Sequence, residues 1–351
     1  MKKIAVLGAG AWGTAVAKVI CDSGKEVALW CRNSLEADRM VRERENKRYL
    51  PSIELPQRLD ITSNFESMIR NAVLILLAVP ASAMRETLRR ALSFAPDAGF
   101  VVLSKGFEQG SMMLADQIFA EEETRAANCL GVLSGPGFAK EIASGLPAAL
   151  TLASDNRLFG ESVVELIHSN RMRLYMSSDV RGVLVGGAIK NVVAIAAGIA
   201  DALKLGQSAR AALITRGLSE MSRYGRFYGG QSKTFQGLSG IGDLTLTCTS
   251  DLSRNRTLGM ALGQGKKLEE VVQSLGHVAE GVSSARELGR IADINNIELP
   301  ITPVAPVKIT FKFFKLIINS LNHLYYLLEL ILHFYLFFLQ VLTILFQVQF
   351  Q

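Results

Sequence analysis

The sequence predicts an α/β fold in two parts: an N-terminal, mostly parallel sheet followed by an all-helical domain. Three observations carry this prediction. Short β-rich apolar runs alternate with helical patterns through the first part of the chain, a glycine-rich turn joins the first run to the first helix, and beyond Gly186 only helical periodicity is left. Length agrees, since 351 residues at about 150 per domain give two domains.

Taken in order, Ile4–Leu7 is an apolar run ending in glycine, Thr14–Asp22 carries apolar residues at helical spacing, and Glu26–Trp30 is a second apolar run. Strand, helix and strand at this spacing form the βαβ unit of a parallel sheet. Val73–Val79 is apolar at consecutive positions, as in a strand covered on both faces, and Pro80 stops it. Gly99–Leu103 and Cys129–Leu133 repeat that pattern. The segment around Ser177–Gly187 leads into the second part, where Ile189–Leu205, Ala209–Tyr224, Leu268–Leu275 and Ser283–Ile291 read as helices. The expected domains are 1–186 and 187–305, with 306–351 an atypical apolar tail.

Composition narrows the function. With 49% hydrophobic and 20% charged residues, the chain is neither disordered nor collagen-like. Its four cysteines are scattered singly, so no disulfide framework and no metal site is expected, and a reducing cytoplasm is the expected compartment. A net charge of +6 favours an anionic ligand, but no basic run carries interleaved aromatics, so nucleic acid is not expected. Arg42–Arg48 alternates with Glu43 and Glu45 and reads as a solvated helical face. Ile4–Leu7 is too short for the apolar core of a signal peptide. From Phe311 onward the chain has no Gly or Ala, and Ile331–Val348 carries no formal charge. His323, His333 and Gln340 interrupt this stretch and no basic residues flank its far side, so a frame disruption is preferred to a membrane anchor.

The sharpest motif is Gly8-Ala9-Gly10-Ala11-Trp12-Gly13, a GxGxxG turn after a strand and before a helix. Gly8 permits the turn, Gly10 a close approach of backbone to pyrophosphate, and Gly13 the packing of helix on strand. The helix N-terminus then offers free N–H groups to the anion. Arg32, beside Asn33 past the second strand, stands where an acid would bind a ribose hydroxyl. It favours a 2′-phosphate, hence NADP, with stacking on adenine the other use of an arginine. Lys105 in Ser104-Lys105-Gly106, and Gly135 and Gly137 in Leu133-Ser134-Gly135-Pro136-Gly137, follow strand ends that face the ligand crevice. Lys190-Asn191 opens the Ala-rich helix among apolar neighbours; desolvation suits such a lysine to general acid/base work, and an ordinary surface lysine is the equal alternative. Asp243 and Thr247, then Ser253, Arg254 and Asn255, pack polar groups suited to orienting a lysine and cradling a phosphate, with a helix N-cap the plain alternative for Asp243.

In this order, GAGAWGTA, SKG, LSGPGFAKE, GAIKNVVAIAAGI, ITRGLSEM, SGIGDLTLTC, SRNR and VAEGVSSA resemble bacterial-type NAD(P)-dependent glycerol-3-phosphate dehydrogenases, from about Lys2 to Pro303. The resemblance implies a Rossmann-like domain, a helical substrate domain and a cytoplasmic oxidoreductase. It would interconvert dihydroxyacetone phosphate and sn-glycerol 3-phosphate with NADP or NAD and feed phospholipid synthesis. It further implies Lys190 as general acid/base, Lys105 as a second active-site lysine touching substrate and cofactor, and Asp243, Thr247 and Asn191 as polar site residues. Ser253, Arg254 and Asn255 correspond to the phosphate clamp, Gly135 and Gly137 to substrate positions. Ala11, Trp12, Arg32, Asn33, Ala139, Arg254, Val278 and Glu280 correspond to dinucleotide contacts. A small phosphorylated substrate and a homo-oligomer are the expected partners. The family has Ser or Thr where Gly137 stands, commonly has Asn near Ser208, and continues past Pro303 into further helices, so the helical domain here is incomplete relative to it. The alternative is a nucleotide-binding relative whose catalysis is impaired by the altered C-terminus.

Overall fold

The computed structural model describes residues 3–123, 129–275 and 280–302. Its strands are β1 (Lys3–Leu7), β2 (Val27–Trp30), β3 (Glu45–Asn46), β4 (Leu50–Glu54), β5 (Asp60–Thr62), β6 (Ala72–Leu77), β7 (Gly99–Val102), β8 (Leu130–Ser134), β9 (Ala148–Ala153) and β10 (Met172–Ser177). Eight of them form one sheet, ordered β10-β9-β8-β7-β6-β1-β2-β5, and β3 and β4 pair as a separate hairpin. All pairings in the large sheet are parallel except β8 with β9. From β1 the chain builds outward through β2 and β5, then returns to lay β6, β7 and β8 on the other side. That reversal opens a crevice beyond the carboxyl ends of β1 and β6, where ligands bind in open α/β sheets.

The sheet is covered by α1 (Ala11–Asp22), α2 (Ser34–Glu43), α3 (Phe65–Ile69), α4 (Ala81–Phe94), α5 (Ala115–Glu122), α6 (Ala139–Ala143) and α7 (Arg157–Ile167). Ile4 and Val6 of β1, Leu74 and Leu76 of β6, and Val16 and Ile20 of α1 share one fully buried core. Each such side chain contributes about 1.5–3 kcal/mol by leaving water.

The helical half comprises α8 (Val180–Ala202), α9 (Gly206–Phe227), α10 (Ser232–Phe235), α11 (Asp243–Thr249), α12 (Arg254–Gly263), α13 (Leu268–Leu275) and α14 (Glu280–Asn295), with a π-helical turn over Leu238–Gly242. Every residue of α8 from Gly182 to Ala200 is buried, as expected of a helix apolar all round at the centre of a bundle. Asp179 starts it, accepting the Gly182 N–H at 2.9 Å, and also accepts the Gln231 N–H at 2.8 Å and the Thr234 hydroxyl at 2.5 Å. α12 lies directly on α8: a Cβ at Gly198 would stand 2.0 Å from the Arg256 carbonyl oxygen. Arg256 then pairs with Asp201 of α8 and with Asp251. At the end of the described chain, buried Glu220 of α9 accepts the N–H groups of Ile301 and Thr302 at 2.8 and 3.0 Å.

Several expectations need correction. The Ala-rich helix starts nine residues before Ile189, because Asp179 rather than the glycine segment sets its beginning. Lys190 therefore lies mid-helix and does not open it. The position expected for the boundary, between residues 186 and 187, falls inside this helix. Arg42–Arg48 is not one solvated helical face: α2 ends at Glu43, Arg44 turns left-handed at φ 49°, and Glu45–Asn46 pairs with β4. β9 and β10 extend the sheet beyond the strands expected from the sequence. The apolar tail lies outside the described residues, as does Val278.

Candidate active site

The glycine turn sits at the topological reversal. Gly8 has φ +120°, and a Cβ there would stand 2.6 Å from the Ala78 carbonyl oxygen, so this approach of β1 to β6 requires glycine. A Cβ at Gly13 would stand 2.0 Å from the Gly8 carbonyl, which seats α1 on the turn. Among the described residues, nothing lies within 4 Å of a Cβ built on Gly10. Among the described residues no side chain caps the N-terminus of α1, so its first N–H groups and its partial positive charge face that open space. Trp12 in the first turn has a buried indole N–H with no partner among the described residues. Its ring edge is 3.6 Å from a Cβ built on Gly137, and Ala139 at the start of α6 packs with Ala15, Leu50, Ile53 and Ala143. Arg32 and Asn33 lie exposed past the end of β2. Asn33 caps α2 through the Glu36 N–H at 3.0 Å, whereas among the described residues no ion pair engages Arg32. An uncapped helix start, an open cradle and an orphaned indole donor fit a dinucleotide.

The second cluster joins both halves of the chain. Asp243, 1% exposed, accepts Lys190 Nζ on Oδ1 at 2.5 Å and Lys105 Nζ on Oδ2 at 2.7 Å. Lys190 also donates to Thr247 Oγ1 at 3.1 Å, and that hydroxyl donates to the Asp243 carbonyl at 2.6 Å. Burial among apolar helices pulls Lys190 down to about 7, with Asp243 opposing and Lys105 assisting. Burial alone would push Asp243 up, but the ammonium groups of Lys105 and Lys190 hold its carboxyl below the usual range. Burial likewise raises the Cys248 thiol, to about 12, leaving it an inert apolar neighbour. The buried Lys–Asp–Lys arrangement can hold a proton at neutral pH and place positive charge where an oxyanion develops.

Around it, Ser134 at the end of β8 has a buried hydroxyl without a partner among the described residues, 3.5 Å from a Cβ built on Gly187 of α8. The Lys105 stem is 3.3 Å from the same point. Gly135 lies against Leu150 of β9, and Pro136 reaches the backbone at Gly242 just before Asp243. Asn191 and Asn255 meet at α14: a Cβ on Gly281 would stand 2.6 Å from Asn255 Oδ1 and 3.0 Å from the Asn191 carbonyl oxygen. Burial raises the Glu280 carboxyl, and the charges of Arg254, Lys105 and Lys190 oppose that rise. Ser253 caps α12 by accepting the Arg256 N–H at 3.3 Å, and Arg254 next to it is exposed. Sequence reasoning missed Ser134, Ser284, whose buried hydroxyl is also unpartnered among the described residues, and Asn46 behind the glycine turn. Only the strand-end position of Ser134 offered a signal.

Fold and cluster together define a class: a dinucleotide-type α/β half joined to a helical half that brings a buried ammonium to the same crevice. Two family models, the N-terminus and the C-terminus of NAD-dependent glycerol-3-phosphate dehydrogenase, match residues 3–159 and 179–309. The chain belongs to this family. It is 50% identical over 303 residues to a glycerol-3-phosphate dehydrogenase (NAD(P)+) of Nitrosospira multiformis, covering 86% of this chain and 91% of that one. A Nitrosomonas eutropha enzyme of the same name is 48% identical over 85% of this chain and 90% of its own. The crystal structure of glycerol-3-phosphate dehydrogenase from Coxiella burnetii aligns with a TM-score of 0.82 at 40% identity, covering 86% and 92% of the two chains.

Proposed function

We propose that this chain interconverts dihydroxyacetone phosphate and sn-glycerol 3-phosphate with NAD(P)H and so feeds phospholipid synthesis. The observation that carries this reading is the buried Lys190 ammonium, held by Asp243 at 2.5 Å and Thr247 at 3.1 Å. The bound dinucleotide supplies the hydride. Gly8, Gly10, Ala11, Trp12 and Gly13 would hold its diphosphate, Arg32 and Asn33 its adenosine end, and Ala139, Glu280 and Arg254 its remaining length. An exposed Arg32, without an ion pair among the described residues, suits a 2′-phosphate, in keeping with use of NADPH as well as NADH.

Lys190 gives its proton to the ketone oxygen as the carbonyl carbon is reduced and takes it back in the reverse direction. A lysine near pKa 7 serves both directions at neutral pH. Asp243 fixes the ammonium in place, Thr247 orients it, and burial keeps competing water away. Lys105 adds a second positive charge for the substrate, with Asn191, Gly135 and Gly137 lining its place. Arg254, Asn255 and the start of α12, where Ser253 is the cap, bind the phosphate. That remote binding energy positions the reacting carbon. In this proposal the sheet half cradles the diphosphate and the helical half supplies Lys190 and the phosphate clamp, while Lys105, Gly135 and Gly137 reach the substrate from the sheet side and Glu280 and Arg254 reach the cofactor from the helical side. We extend it to a cytoplasmic homo-oligomer: all four cysteines are free, in keeping with a reducing compartment, and light scattering showing only monomer contradicts the assembly.

The test compares wild type with Lys190→Ala in oxidation of NADPH by dihydroxyacetone phosphate. Turnover should fall about 10²–10⁴-fold while NADPH binding and melting temperature persist. Near-wild-type turnover in a folded variant contradicts the reading.

A further inference from the structure

The β3–β4 hairpin lies beside the glycine turn, and its Asn46 is only 3% exposed although it sits in a strongly charged stretch. Its carboxamide is fully engaged. Nδ2 donates to the Ala9 carbonyl oxygen at 2.9 Å and to Thr14 Oγ1 at 2.8 Å, while Oδ1 accepts the Tyr49 N–H at 3.2 Å. The Ala9 carbonyl belongs to the peptide that joins Ala9 to Gly10. In a planar trans peptide the C=O and N–H point in opposite directions. Holding that carbonyl on Asn46 therefore turns the Gly10 N–H away from the hairpin. Thr14 in turn donates its own N–H to the Gly10 carbonyl oxygen at 2.9 Å. Asn46 thus grips both ends of the first turn of α1.

We propose that Asn46 is a positioning residue for the dinucleotide, locking the Ala9–Gly10 peptide in the flip that offers the Gly10 N–H to a diphosphate. This deepens the dinucleotide reading of the turn and rests on it. Without the carboxamide the peptide is free to rotate, and the rotated form presents a carbonyl oxygen to the anion. The contribution lies in preorganisation: Asn46 need not touch the ligand. A carboxylate in its place keeps the shape but loses both donors and adds a repelling charge.

The test is fluorescence titration of NADPH against wild type, Asn46→Ala, Asn46→Asp and Thr14→Val, alongside ligand-free melting curves and turnover at saturating NADPH. Asn46→Ala should raise the Kd for NADPH roughly tenfold, and Asn46→Asp more than that. KM for NADPH should rise in parallel while kcat changes less than about twofold. Thr14→Val, which removes one acceptor, should raise Kd by a smaller factor. An unchanged Kd with a lowered melting temperature makes Asn46 a support of the fold alone and overturns the proposal, as does a fall in kcat with Kd unchanged. Where the Asn46 variants do not fold, Thr14→Val decides, and an unchanged Kd in it overturns the proposal. A wild-type protein that fails to bind NADPH removes the dinucleotide reading itself.

Discussion

Lys190 owes its lowered pKa to its place in the middle of α8, well beyond the exposed Arg181, where burial opposes its charge. Asp243 tempers that effect and Lys105 reinforces it. Replacing Lys105 by Met removes a like charge and leaves the Asp243 carboxylate to Lys190 alone. Both changes favour the ammonium, so the pH midpoint of the residual activity should move upward; a midpoint that stays or falls contradicts the assigned electrostatics. Arg254→Ala should raise KM for the phosphorylated ketone and also lower kcat, because phosphate binding orients the reacting carbon. A pure KM effect would place Arg254 outside that role. Lys105, Lys190 and Asp243 stand beside glycines or strand ends, a pattern readable in the sequence, and the fold brings their side chains together. Asn46 was not readable there: in a run of charges its buried environment comes from contacts with residues far away in the chain, which periodicity does not encode.

At the level of elements, α8 carries the site and two features hold it. Asp179 caps its first turn and accepts two further hydrogen bonds from the Gln231–Thr234 segment. Asp179→Ala should destabilise the protein by at least about 2 kcal/mol, a cap plus buried donors left unpaired. A denaturant midpoint unchanged from wild type would contradict this. Gly198 permits the backbone contact with α12 that sets Arg254 and Asn255 near α8. Gly198→Val should force the two helices apart, costing about 1–3 kcal/mol or more and weakening substrate binding. The sequence predicted β1, β2 and the apolar strands β6, β7 and β8 within a residue or two, and began α1 three residues late. The Ala-rich pattern from Ile189 starts α8 too late, whereas Asp179 before an apolar run is the cap that begins it. β9, rich in alanine, and β10, whose residues alternate between buried and exposed, lack the continuous apolar character that marked the other strands.

For the whole molecule, the sheet crevice and the helical bundle converge on one place, so ligand binding and folding are linked. NADPH at 100 times its Kd should add about 2.7 kcal/mol of stability, seen as an upward shift in melting temperature. No shift would mean that the crevice does not take the dinucleotide. The central claim is that a single buried ammonium, near pKa 7, passes the proton in both directions. The most direct measurement is the pH dependence of kcat/KM in each direction. Reduction needs Lys190 protonated, so its profile should be level at low pH and fall through about 7; oxidation needs the neutral amine and should rise through the same midpoint. Profiles that run flat across this range, or that move in the same direction, contradict the account.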